Sequence, residues 1–145
     1  MKISTKGRYA LRMFIDLAEH DNEGYVSLKD ICQRQDISKK YLEQIIALFA
    51  KTNILLTSRG ASGGYKLAKP ASEYTVGEIL RLTEGSLAPV SCLDHDLGKC
   101  KHSVDCPTLP VWQGLNKVVC DYLDSITLQD IIEQRNRLDS DSYMI

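Results

Sequence analysis

Apolar residues recur at helical spacing along the first half of the chain, and then the period shortens. Ala10, Met13, Phe14, Leu17 and Ala18 form one stripe, predicting a helix from Ser4 or Thr5 to about Ala18, broken by Asp21-Asn22-Glu23-Gly24. Ser27-Leu28-Lys29-Asp30 has the form of a capping box and opens a short helix expected to bury Leu28, Ile31 and Cys32. The turn Gln35-Asp36-Ile37 leads to Ser38, whose hydroxyl can cap a third helix. In that helix Leu42, Ile45, Ile46 and Phe49 fall at i, i+3, i+4 and i+7. After Asn53 a strand-like run, Ile54 to Thr57, precedes Gly60, Gly63 and Gly64, read as the positive-φ residues of a tight tip, and Tyr65-Lys66-Leu67 returns. Two short helices joined tightly and followed by a hairpin predict a winged helix-turn-helix DNA-binding head over residues 1–85.

Beyond the wing, Thr75-Val76-Gly77-Glu78 caps a helix with Val76, Ile79 and Leu80 inside, stopped at Glu84-Gly85. Residues 86–109 lack periodicity, and such a stretch in a small domain is uncommon unless functional. Residues 110–134 are expected to hold a long helix and a short terminal one, the long helix with Thr108 as its cap and Pro110 tolerated in its first turn. Its apolar band, Val111, Leu115, Val118 and Tyr122 widened by Trp112, Val119 and Leu123, is broader than a terminal helix needs, which predicts a homodimer seam. Thr127 caps the short helix, which ends near Ile132, and residues 135–145 are expected to be a flexible tail. The predicted fold is therefore mainly α: a winged head with a long C-terminal dimerisation helix.

Composition narrows the class. A chain of 145 residues with 43% hydrophobic content can bury one core without staples. No apolar run approaches the ~20 residues of a membrane span, and no apolar h-region follows Met1 to Lys6, so a cytoplasmic protein is expected. The net charge of -1 conceals an asymmetry: residues 1–69 carry 12 Lys and Arg against 7 Asp and Glu, and the remainder carries 6 against 12. A basic head on an acidic body suits a DNA partner. Lys39, Lys40, Glu43, Gln44 and Lys51 stand opposite the apolar stripe of the third helix, and Lys6, Arg8 and Arg12 add charge from the first. The wing glycines lead into a strand rather than a helix, so they are not a phosphate-binding loop. No convincing acid–base set is present, which argues against an enzyme and against a redox carrier.

Cys92, Cys100 and Cys106 are separated by seven and five residues. Structural zinc favours close C-x2-4-C pairs, whereas wider spacing lets a loop wrap an iron–sulfur cluster. Spacing alone leaves a cluster, zinc and free or disulfide-forming thiols open. Candidates for a fourth ligand are His102, His95, Asp94, Asp96, Asp105 or a group from a partner subunit. Cys32 and Cys120 read as small core side chains.

Taken together, MKISTKGRYAL, ISKKYLEQI, SRGASGGYKL, the three-cysteine loop and ITLQDI resemble the Rrf2 family of winged-helix regulators, within it the branch that senses iron–sulfur clusters. The likeness extends from residue 1 to about 133. It implies a homodimer whose long helices cross, a [2Fe-2S] cluster on Cys92, Cys100 and Cys106, and repression of cluster-assembly genes at palindromic operators. It also implies that Tyr41, Glu43 and Gln44 face bases or phosphates and that Arg59 enters the minor groove. Ser38, Lys39, Lys40, Gly60, Lys6 and Arg8 complete the expected DNA-binding set. Glu43 suits cytosine N4 and Gln44 suits adenine. Two departures stand out. The family's ligand histidine is replaced by Leu109, with His102 the substitute read here, and the first two cysteines lie two residues further apart. A nitric-oxide-sensing branch uses an aspartate where this chain has Arg8. A cysteine-metabolism branch shares the head and an aromatic–aliphatic end such as Tyr143-Met144-Ile145. That likeness implies the alternative of a cluster-free regulator, sensing by thiol redox or holding zinc, with Ile145 inserting into cysteine synthase.

Overall fold

The computed structural model describes residues 2–94 and 100–143. Helices α1 (Thr5–Glu19), α2 (Leu28–Gln35) and α3 (Lys39–Ala47) precede strands β1 (Leu55–Ser58) and β2 (Gly64–Leu67), and α4 (Val76–Glu84), α5 (Leu109–Ser125) and α6 (Leu128–Ser142) follow. This is the mainly α winged helix-turn-helix that the periodicity predicts.

Each helix of the head starts where a hydroxyl can accept from an otherwise unpaired first-turn amide. Ser4 takes the N–H of Gly7, Ser27 that of Asp30, Ser38 that of Tyr41 and Thr75 that of Glu78. At the two expected capping boxes, Ser27 and Thr75, the structure shows the hydroxyl bond alone; the reciprocal form closes instead at Thr127–Asp130, where the carboxylate also accepts from the Thr127 N–H at 2.9 Å.

The core gathers Ala10, Met13, Phe14 and Leu17 of α1 against Ile31 of α2, the α3 stripe Leu42, Ile45 and Ile46, and Phe49, which sits in the turn after α3 rather than in the helix as expected. Phe14 meets Phe49 edge-on, with ring centroids 4.8 Å apart. Tyr74, completely buried, ties the wing root to this core: its hydroxyl donates to the Ile54 carbonyl at 2.5 Å and accepts from the Ala68 and Lys69 amides. The two strands are antiparallel with Leu55 opposite Leu67 and Ser58 opposite Gly64, and Val26 extends the pairing through reciprocal bonds with Tyr65 at 2.8 Å.

The wing glycines are required for different reasons than expected. Only Gly60 has positive φ, at 104°. A Cβ on Gly63 would strike the Ser58 carbonyl, and one on Gly64 the Val26 carbonyl, so these two permit close backbone approach.

The C-terminal region corrects three further expectations. Thr108 makes no capping bond to α5. The last helix does not stop near Ile132: α6 runs to Ser142, so residues 135–142 are helical rather than a flexible tail. It is held to α1 by Arg135 and Glu19, 3.1 Å apart. Cys120 is half-buried rather than core, while Cys32 of α2, also half-buried, packs against the core. No helix among the described residues is long and apolar enough to cross a membrane.

Candidate nucleic-acid interface

The packing that buries Leu42, Ile45 and Ile46 leaves the opposite face of α3 in solvent, where Ser38, Lys39, Lys40, Glu43 and Gln44 are all exposed. On α3, Tyr41 is the exception within the predicted set. It is half-buried, and its ring lies edge-on to Tyr9 of α1, centroids 5.8 Å apart.

The wing tip stands beside this face. Gly60, Ala61 and Gly63 close one side of a cleft of about 830 Å³ whose other walls are Lys39 and Glu43 of α3 and Lys29, Cys32 and Gln33 of α2. Arg59, exposed at the tip, lines an adjoining recess with Thr57, Ser58 and Tyr65. Recognition helix and wing therefore share one continuous surface. Burial raises the Cys32 thiol above its ordinary pKa, with the Glu43 carboxylate adding to the effect, so this thiol is neutral in the cleft. From α1, Arg8 is exposed with its guanidinium on the Thr5 hydroxyl at 3.0 Å, and Lys6 is half-buried.

The residues that hold this surface in place are ones the sequence reading passes over. Asp16 is only 1% exposed, yet carries a charge. Arg34 of α2 grips it through two bonds, 3.0 and 2.8 Å, and Gln35 adds a third at 2.8 Å. A bidentate guanidinium with an amide can satisfy a desolvated carboxylate, which otherwise would be costly. The signal was legible: Asp16 lies between Ile15 and Leu17 on the edge of an apolar stripe, where an acid implies a buried partner. At the far end of α4, the Glu84 carboxylate accepts from both the Ser4 amide and its hydroxyl, 3.0 and 2.7 Å, and so sits at the positive end of α1.

The cysteine segment follows directly. Cys92 lies in a 3-10 turn, Ser91–Leu93, and Cys100 and Cys106 flank a run of turns before α5; all three thiols are free and half-buried. The Thr108 hydroxyl, 3.4 Å from Cys106 Sγ, together with backbone N–H groups, holds that thiol below its ordinary pKa. His102 and Asp105 are exposed, and Asp94 accepts from Ser86. Among the described residues no three His, Cys, Asp or Glu side chains are grouped closely enough for a metal ion. His95, Asp96 and Ile145 lie outside the described residues. Leu109 is the first residue of α5. Along α5, Val111, Leu115, Val118 and Tyr122 are 60, 42, 67 and 62% exposed, an apolar row left open among the described residues.

Known proteins share this arrangement. The family model described as Rrf2, iron-dependent transcriptional regulator, matches residues 3–134. The solved structure of T. potens IscR is 41% identical with a TM-score of 0.71, over 93% of this chain and 88% of that one. The structure of CymR, the global cysteine regulator of B. subtilis, is 36% identical with a TM-score of 0.76, over 92% of this chain and 98% of that one. The Rrf2 protein of Nitratidesulfovibrio vulgaris is 39% identical over 91% of this chain and 87% of its own length. A capped helix beside a glycine-tipped wing and a three-cysteine connection thus coincide with a match along nearly the whole chain, and the protein belongs to the Rrf2 family of transcription regulators, DNA-binding proteins rather than enzymes.

Proposed function

We propose that the chain acts as a cytoplasmic homodimer that represses iron–sulfur cluster biogenesis genes from palindromic operators, with a [2Fe-2S] cluster in the loop between α4 and α5 setting its affinity. The observation that carries this reading is the physical continuity of one connection: Glu84 braces α1 of the head, and the next residues form the cysteine loop that leads into the uncovered apolar row of α5.

On the DNA side, Lys39, Lys40, Glu43 and Gln44 enter the major groove and Arg59 the minor groove, where narrow A·T tracts concentrate negative potential. Ser38, Gly60, Lys6 and Arg8 contact phosphates. Pairing two chains along Val111, Leu115, Val118 and Tyr122 places the heads on half-sites one or more helical turns apart.

The donor set fits a cluster chemically: Cys92, Cys100 and Cys106 supply thiols, one already biased toward thiolate, and His102 supplies an imidazole for the position that Leu109 cannot fill. A bound cluster would supply a redox- and iron-responsive charge. Because the described residues do not gather three donors, holding it requires the loop to draw together. That ordering is the event through which occupancy shifts DNA affinity, by the difference in free energy between the two loop states. Protein isolated without oxygen should be brown, with iron and acid-labile sulfide in equal amounts, and His102→Ala should shift its electron paramagnetic resonance. A colourless protein that binds DNA normally would leave the second reading, a thiol- or zinc-based regulator, which the likeness to CymR favours. If His102→Ala leaves the spectrum untouched, His102 is not a ligand.

A further inference from the structure

Resting on DNA binding by α3, the geometry points to Arg12 and Tyr9 as positioning residues that set the pose of the recognition helix and hence discrimination between operator and other DNA. Arg12 stands on the basic side of the head and by charge alone would be counted among phosphate contacts. Its guanidinium is already engaged. Nη2 donates to the Gln35 carbonyl at 2.7 Å and Nε to the Gln35 side-chain oxygen at 3.2 Å.

Gln35 is the last residue of α2, so its carbonyl has no partner within its own helix. Arg12 fills that place with the favourable sign of charge for a helix C-terminus. The other end of the Gln35 side chain donates to the buried Asp16 at 2.8 Å, so Arg12 acts on an anchored group. Next comes Asp36 in a left-handed conformation, φ 52°, and two residues later Ser38 begins α3. A connection this short transmits any tilt of the α2 terminus into the recognition helix.

The second arm runs through the ring of Tyr9. Arg12 Cζ lies 5.0 Å over that ring, and the ring meets Tyr41, in the first turn of α3, edge-on at 87°. Stacking and edge contacts of this kind need an aromatic face and a planar fork, which Arg offers and Lys does not. Arg12 thus clamps both sides of the turn. It holds the end of one helix through hydrogen bonds and the start of the other through Tyr9.

The test uses a duplex enriched from a random library by the wild-type protein, and a scrambled duplex of equal length. Both affinities are followed against salt for wild type, Arg12→Ala, Arg12→Lys, Tyr9→Phe and Tyr9→Leu, with thermal melts confirming folding. Positioning predicts that Arg12→Ala and Arg12→Lys each lose about tenfold in the enriched-to-scrambled ratio, the size of one lost base contact. The salt dependence of binding stays as in wild type. Tyr9→Phe keeps the ratio and Tyr9→Leu loses it. The proposal is overturned if Arg12→Lys restores wild-type binding while Arg12→Ala weakens both duplexes alike and lowers the salt slope by about one, the signature of a phosphate contact. Unchanged ratios in both Arg12 variants overturn it as well. If wild type enriches no duplex, the DNA-binding reading falls, and this assignment with it.

Discussion

In the head, helices α1 to α4 each receive a hydroxyl cap, their apolar stripes are covered, and even the buried charge of Asp16 has three donors. The loop and α5 are built the other way. Thr108 gives α5 no capping bond, no residue of α5 is fully buried, and its most apolar row faces solvent. The head is thus completed by contacts within one chain, whereas α5 leaves an apolar row exposed among the described residues.

This contrast can be broken at its strongest point first. Phe49 is completely buried, packed on Phe14, so Phe49→Ala should cost about 3–5 kcal/mol, a large share of a small domain's stability. Urea unfolding measures it; a loss below ~1 kcal/mol would mean the head is not the rigid half. The converse substitution is Val118→Glu. It should leave urea stability of the monomeric unit nearly unchanged, yet render the protein monomeric by sedimentation and weaken operator binding by about 100-fold through lost bivalency. A dimer that survives this charge places the seam elsewhere.

At the wing root, Tyr74→Phe keeps the ring but takes the hydroxyl from the Lys69 amide and leaves the Ile54 carbonyl and Ala68 amide only their mutual 3.4 Å bond. The expected cost is about 1–2 kcal/mol, with faster amide exchange at Ala68 and Lys69. Unaltered exchange there would show that the hydroxyl does not hold the wing.

The smallest effect lies where the two regions touch. Arg81 of α4 grips Asp124 of α5 through bonds of 2.7 and 2.9 Å, holding that carboxyl below its usual pKa. A depressed folded pKa stabilises fully above the unfolded value, about 4, and the gain fades as pH falls through the folded one. Both side chains are roughly two-fifths exposed, so solvent screening limits the gain to a few tenths of a kcal/mol. Arg81→Ala should flatten this part of the acid limb of the stability curve. An identical limb in both proteins would mean that the pair contributes nothing.

How much of this was legible beforehand follows the range of the interaction responsible. Periodicity and hydroxyl caps are written over three or four residues, so α1, α3, α4 and the wing could be read directly, as could the cysteines as a set. The length of α6 escaped because Glu133 to Ser142 has almost no apolar stripe. That helix continues on a capped first turn, local pairs such as Gln129 with Glu133 at 3.1 Å, and the Arg135–Glu19 contact with α1. The edge contact between Tyr41 and Tyr9 is not legible in the sequence either, because only the approach of α1 to α3 brings the two rings together. The same holds for Arg34, Gln35 and Arg12, which are ordinary surface residues until two helices cross. Sequence by itself determined which segments form helices and which thiols share a connection. Tertiary structure decided which side chains remain free to meet DNA, because that depends on contacts between segments whose separation along the chain no local pattern encodes.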